Sequence, residues 1–145
     1  MKVRPSVALV ANHQVLLMQY QYGDTLVYNL PGGNTDPSET LTETIIRELQ
    51  EEINVTVLVE NLLLCGEVIL PQQKTDVLHC VFKGKIIANE PMLNPNETSA
   101  LAIVWQPIDS LDTLPMYPNV GKALKEALTN GLENTYLGQI DQTWY

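Results

Sequence analysis

Positive charge is scarce in this sequence. Eight Lys and Arg stand against 17 Asp and Glu, for a net charge of −9. A surface that follows a phosphate backbone needs clustered bases, so nucleic acid is not an expected partner. Cysteine is scarcer still. Cys65 and Cys80 are too few and too irregularly spaced for a zinc site or a disulfide framework. Two reduced, buried thiols in a cytoplasmic protein are the expected state. No run approaches the roughly 18 apolar residues of a membrane span, so no membrane partner is expected. Val7–Ala11 is apolar, but Pro5 and the polar residues from Asn12 make it a strand rather than the centre of a signal peptide. Repeats, low-complexity runs and linkers are absent as well.

What remains is an ordinary globular composition, 45% apolar and 17% charged over 145 residues. One domain spanning 1–145 is expected, large enough to bury about 68–70% of its unfolded surface. The acids are not evenly spread. Asp36, Glu39, Glu43, Glu48, Glu51 and Glu52 crowd into 17 positions.

That stretch reads as a turn leading into a helix. Gly32 and Gly33 follow Pro31 and suit a backbone that must pass where a side chain would be in the way. Asp36 is the expected cap, with Pro37 at the first helical position and Glu39 as the returning arm of a capping box. Leu41, Ile45, Leu49 and Ile53 recur every fourth residue, with Ile46 beside them, so one stripe faces a core. Asn54 is suited to the left-handed residue that ends a helix. Glu48 and Glu52 are one turn apart and Glu51 is at i+3 from Glu48. Like charges so spaced cost an isolated helix roughly 0.2–0.5 kcal/mol per pair, and anions are disfavoured in a last turn. Hard divalent cations relieve such repulsion, which points to Mg²⁺ or Mn²⁺.

Gly33, Glu39 and the run Arg47-Glu48-Leu49-Gln50-Glu51-Glu52-Ile53-Asn54-Val55 closely resemble the signature box of the Nudix hydrolases. The only departure is Asn54, where that family usually has Gly. The resemblance implies an α+β fold, an α/β/α sandwich with a mixed sheet between helices, over nearly the whole chain. It implies Glu48 and Glu52 as the principal metal ligands, Glu51 as a further ligand or water carrier, and the Gly32 carbonyl in the metal shell. Glu39, Gly33 and Arg47 then support them, Arg47 by pairing with and orienting the catalytic carboxylates. The expected substrate is a small nucleotide-type molecule containing a pyrophosphate link. ADP-ribose, ADP-sugars, nucleoside triphosphates and diadenosine polyphosphates all stay open, and Pro71, sixteen residues after Val55, favours the ADP-sugar group. Two other readings are kept: a catalytically silent nucleotide-sensing domain of the same fold, and an isoprenoid diphosphate isomerase.

Around the box the chain alternates in β-rich runs. Val3–Val10 and Val15–Tyr20 are predicted to form a hairpin around Ala11–Gln14, with Leu26–Leu30 extended into Pro31. Val55–Val59 and Leu62–Leu70 are predicted strands, with Cys65-Gly66 a bulge, and Val77–Ala88 and Ala100–Trp105 complete the set. Pro107–Leu111 reads as a helical turn and Val120–Thr129 as a second helix stopped by Asn130-Gly131. Arg4 is placed to reach a phosphate, and Tyr28, among Tyr20, Tyr22 and Tyr28, to stack on a base or sugar. His79 is expected to be a partnered sheet residue. Glu97, in the loop before Ala100, is the candidate catalytic base, with Glu90 second. The tail Leu132–Tyr145 is read as closing a pocket or docking on a second copy as a homodimer, with fraying the alternative for its last five residues.

Overall fold

The computed structural model describes residues 1–72 and 74–145. Gln73, in the predicted polar turn Pro71–Asp76, lies outside the described residues. Seven strands form one mixed sheet: β1 (Lys2–Ala11), β2 (Gln14–Tyr22), β3 (Thr25–Asn29), β4 (Thr56–Val68), β5 (Val77–Ala88), β6 (Ala102–Pro107) and β7 (Tyr136–Gln139). Their order is β3-β2-β1-β5-β4-β7, with β6 paired to the other side of β2. Helix α1 (Leu41–Ile53) follows β3, and α2 (Gly121–Thr129) precedes β7. The α+β class expected of the sequence is what the chain adopts.

Strand periodicity explains the layers. Successive side chains point to opposite faces. Thus Val7 and Leu9 of β1 and Leu16 and Met18 of β2 join Ile45, Leu49 and Ile53 of α1 in one core. Ala8, Val15 and Leu17 point the other way and join Leu124 of α2 and Leu111 in a second core. The β1–β2 hairpin turns at Asn12 and His13, both left-handed (φ 51° and 60°), the backbone a two-residue hairpin needs. Past the hairpin the two strands part. They share only the pairs Val10↔Val15 and Ala11↔Gln14, because β1 runs on parallel to β5 from Lys2↔Val77 to Leu9↔Gly84.

Several local expectations need correction. Asp36 does not cap α1, and Pro37 is not its first residue. Ser38 is left-handed at φ 70°, which closes Asp36–Glu39 into a separate turn. Its Asp36 N–H donates to Glu39 Oε1 at 2.8 Å, the reciprocal arm of a capping box with no helix inside it. Thr40 is the cap, accepting from Glu43 N–H at 3.2 Å. Ile46 is turned out to solvent, since it lies about 100° around the helix from Ile45. Thr56–Val68 is one strand rather than two. Against β5 its irregularities fall between Thr56 and Val57 and between Val59 and Leu64, while Cys65 and Gly66 pair regularly with Cys80 and His79; the irregularity expected at Cys65-Gly66 is in the pairing with β7, between Cys65 and Glu67. The tail is docked rather than frayed: β7 pairs parallel to β4, Ile140 is buried, and Gln142 Nε2 donates to the Met116 carbonyl at 3.1 Å.

Candidate active site

Two glycines let the box close. Val7 N–H donates to the Pro31 carbonyl at 3.0 Å and Gly33 N–H to the Pro5 carbonyl at 3.2 Å, strapping the loop to β1. A Cβ on Gly32 would strike the Pro5 carbonyl and the Ser6 backbone, and one on Gly33 would strike the Glu48 carboxyl. Neither strap bond uses the Gly32 carbonyl. At the far end of α1, Asn54 takes the left-handed conformation (φ 60°, ψ 36°) and its N–H caps the Gln50 and Leu49 carbonyls. The departure from Gly at this position therefore leaves the helix end intact.

Arg47 organises the acids. Its guanidinium forks onto Glu39 with Nε–Oε2 at 2.7 Å and Nη2–Oε1 at 2.9 Å. Nη1 donates to Glu48 at 3.0 Å and Glu51 at 3.3 Å, and Nη2 also reaches the Asn34 carbonyl at 3.1 Å. Asp36 lies 3.3 Å from Nε. Hydrogen bonding from Arg47, then from the Asp36 amide, holds the Glu39 carboxyl down at about 2, and Glu39 in turn raises the Arg47 guanidinium. Its donors are thus engaged on box carboxylates and the Asn34 carbonyl.

Glu48 and Glu52 meet. Burial first, then the Glu48 charge and a hydrogen bond with that carboxyl, push Glu52 up to about 8. Burial and a neighbouring like charge both favour the protonated form of Glu52. Glu51 shares the Arg47 Nη1 group with Glu48 and is the more exposed of the two. Among the described residues, no three acidic, His or Cys side chains converge into a ready-made metal centre. The donor chemistry still suits a hard cation: two carboxylates on one turn, with the Gly32–Gly33 loop against Glu48.

The loop before Ala100 docks on this end of the site, which no local pattern reveals. Asn94 N–H donates to the Glu52 carbonyl at 2.9 Å, its side chain to the Glu51 carbonyl at 3.2 Å, and Met92 N–H to the Ile53 carbonyl at 2.9 Å. Last-turn carbonyls of α1 are thus satisfied from residues some forty positions away. Glu97 sits exposed in this loop, in a turn closed by its N–H on the Asn94 carbonyl. Glu90 lines a separate hollow with Ala11, Asn12 and Trp105 beside the β1–β2 hairpin.

Where β1 and β2 part, a cavity of about 410 Å³ opens beside the box, within the range of small-molecule sites. Lys2, Arg4 and Lys74, three of the chain's eight bases, line it. Arg4 lines the cavity and its charge is felt by both Glu52 and His79. Tyr22, Tyr117 and Asn29 supply walls. Tyr28 does not line it: its ring packs on the α2-side core and its hydroxyl accepts from Gln19 at 3.1 Å. His79, expected to be a partnered sheet residue, is buried with Nε2 unpartnered, as is the Ser6 hydroxyl. Sequence reading missed Ser6, Tyr117 and Asn94 entirely, because only pairing across the sheet and loop docking bring them here. A larger open hollow of about 630 Å³ between α2 and the tail contains no box residue in its lining.

A sheet between two helices, with paired carboxylates at a helix end and a basic cavity alongside, suits chemistry on a phosphoanhydride. A NUDIX domain model matches residues 2–127. The chain therefore belongs to the Nudix family and is a hydrolase of nucleotide-type pyrophosphate links. Solved structures share its fold. A MutT NUDIX hydrolase from Burkholderia pseudomallei superposes with a TM-score of 0.71 at 22% identity, over 86% of this chain and 95% of that one. A MutT protein from Bacillus halodurans gives 0.68 at 24% identity, over 94% and 86%. An ADP-ribose pyrophosphatase from Streptococcus suis gives 0.62 at 20% identity, over 97% and 98%. No curated protein matches the sequence.

Proposed function

We propose that this protein cleaves the pyrophosphate bond of a nucleoside diphosphate linked to another group, of the ADP-sugar or nucleoside triphosphate kind, with Mg²⁺ or Mn²⁺. The observation that carries this reading is the Glu48–Glu52 pair on α1, with a cavity lined by Lys2, Arg4 and Lys74 beside the box. A bound divalent cation would neutralise the diphosphate oxygens and acidify water. Glu48 and Glu52 would hold it with the Gly32 carbonyl, Glu52 losing its proton. Glu51 would join them on releasing its contact with Arg47. Arg4 would bind and orient the diphosphate, and Arg47 with Glu39 keeps Glu48 aimed. Glu97 would take the proton from the attacking water, carried into place by the loop that Asn94 fixes.

A phosphate-release screen over ADP-ribose, NADH, nucleoside triphosphates and diadenosine polyphosphates tests this. Metal-dependent release from at least one is expected. Nucleotide affinity without turnover of any would instead establish the silent sensor.

A further inference from the structure

The two cysteines face each other across the sheet. Both are free thiols, Cys65 half-buried on β4 and Cys80 buried on β5. Antiparallel register sets Cys65 directly opposite Cys80, in the stretch 65–68 where β4 pairs regularly with β5. Directly opposed residues of such a pair project from the same face. His79 and Val81, on either side of Cys80, point to the other face, and neither thiol lines the cavity beside the box.

The kind of pair decides how near the sulfurs come. Cys65 N–H donates to the Thr135 carbonyl at 3.0 Å, on the edge of β4 turned away from β5. The N–H and C=O of one strand residue point to the same edge, so Cys65 and Cys80 exchange no backbone bond. A pair of this kind holds its Cα atoms about 4.5 Å apart, within the roughly 4.4–6.8 Å that a disulfide spans. Burial first, then the Cys65 charge, raise the Cys80 thiol, so the two groups are electrostatic neighbours as well.

We propose that Cys65 and Cys80 form a reversible oxidation site, closed to a disulfide by a hydroperoxide and reopened by a thiol reductant. Cys65 is the more accessible and attacks as the thiolate. Its sulfur bonds one peroxide oxygen as the O–O bond breaks, giving a sulfenic acid and a hydroxide that takes the proton Cys65 released. The Cys80 sulfur then bonds the Cys65 sulfur, the S–O bond breaks, and the oxygen leaves as water with the Cys80 proton. Two thiols give up two electrons, and one peroxide becomes two waters. The bridge ties together the strands whose connection brings Lys74 and Thr75 to the cavity, with Val77 and His79 of β5 in its wall. Oxidation therefore stiffens that wall without placing an atom in it.

Peptide mapping of the native chain tests this. Treat it with hydrogen peroxide at pH 8, without denaturant, and analyse the digest by mass spectrometry. The parent should lose two hydrogens, gain no oxygen and yield one cross-linked peptide joining Cys65 to Cys80, which dithiothreitol reopens. The bridged form should melt about 5 °C or more above the reduced form. Amides of residues 66–68 and 77–79 should exchange at least fivefold more slowly in it. Cys80→Ala should leave Cys65 to gain oxygen or to join a second chain, and Cys65→Ser should leave Cys80 a thiol under the same treatment. Two untouched thiols in the parent, oxygen on Cys65 without a bridge, or a bridge that forms only in urea would overturn the proposal. The parent alone decides it if a variant does not fold. No arm uses turnover, so the outcome is independent of the hydrolase reading.

Discussion

Replacing Glu52 by Gln isolates the strain that the paired carboxylates put on the fold. In the unfolded chain this carboxyl loses its proton near 4.5, and in the folded protein near 8. Between those values the native state keeps a proton that the unfolded state has released. Stability is therefore full below pH 4.5 and falls as pH rises through this window. At about 1.36 kcal/mol per pH unit, the whole displacement corresponds to about 5 kcal/mol above pH 8. Glu52 is half-buried and water screens part of the repulsion, which brings the expected effect to about 2 kcal/mol. Gln cannot ionise. In EDTA at pH 8.5 the variant should melt about 4–8 °C above the parent, and at pH 4.5 the two should nearly coincide. Millimolar Mg²⁺ should raise the melting temperature of the parent at pH 8.5 and leave the variant unmoved, because the cation relieves the same repulsion. Differential scanning calorimetry at both pH values, with and without metal, reads all of this. A variant less stable than the parent at pH 8.5, or one that keeps the Mg²⁺ response, would refute the reasoning.

Other substitutions separate the remaining roles. Gly33→Ala drives a methyl into the Glu48 carboxyl and should weaken Mg²⁺ binding at least tenfold by calorimetry, with a small change in melting temperature. Arg47→Lys keeps the charge but loses the fork onto Glu39, so kcat should drop about 10–100-fold; activity within twofold of the parent would remove Arg47 from the site. Glu97→Gln should lower kcat by about 10²–10⁴ without altering metal affinity, and unchanged turnover would eliminate it as the base.

Arg4 deserves its place in both halves of the site for an electrostatic reason. In a chain of net charge −9 it is a cation felt at once by Glu52 and by His79. Arg47, the other arginine, is spent on acids of the box. A diphosphate approaching this surface has few bases to meet, and those near the carboxylates line one cavity.

Most of the box was readable from the residues because its logic is local. A helix repeats every 3.6 residues, so spacing alone puts Glu48 beside Glu52 and Leu49 and Ile53 in a core. Asn54 ends the helix for a reason carried by one residue, its tolerance of the left-handed region. The helix start was misread because Asp36-Pro37 and Thr40 both have capping chemistry, and the left-handed backbone at Ser38 chose between them. Strands could be found by alternation, but which strands adjoin is not a periodic property. Only the parallel pairing of β1 with β5 brings Ser6 and His79 to one wall. Only the docking of the 92–98 loop puts Asn94 on the end of α1, and only the returning tail sets Trp144 behind Tyr117. Composition and spacing thus determined the chemistry at the carboxylates. Contacts between residues distant in the chain decided the shape and polarity of the cavity beside them, since such contacts depend on how the sheet is ordered and leave no mark on neighbouring positions.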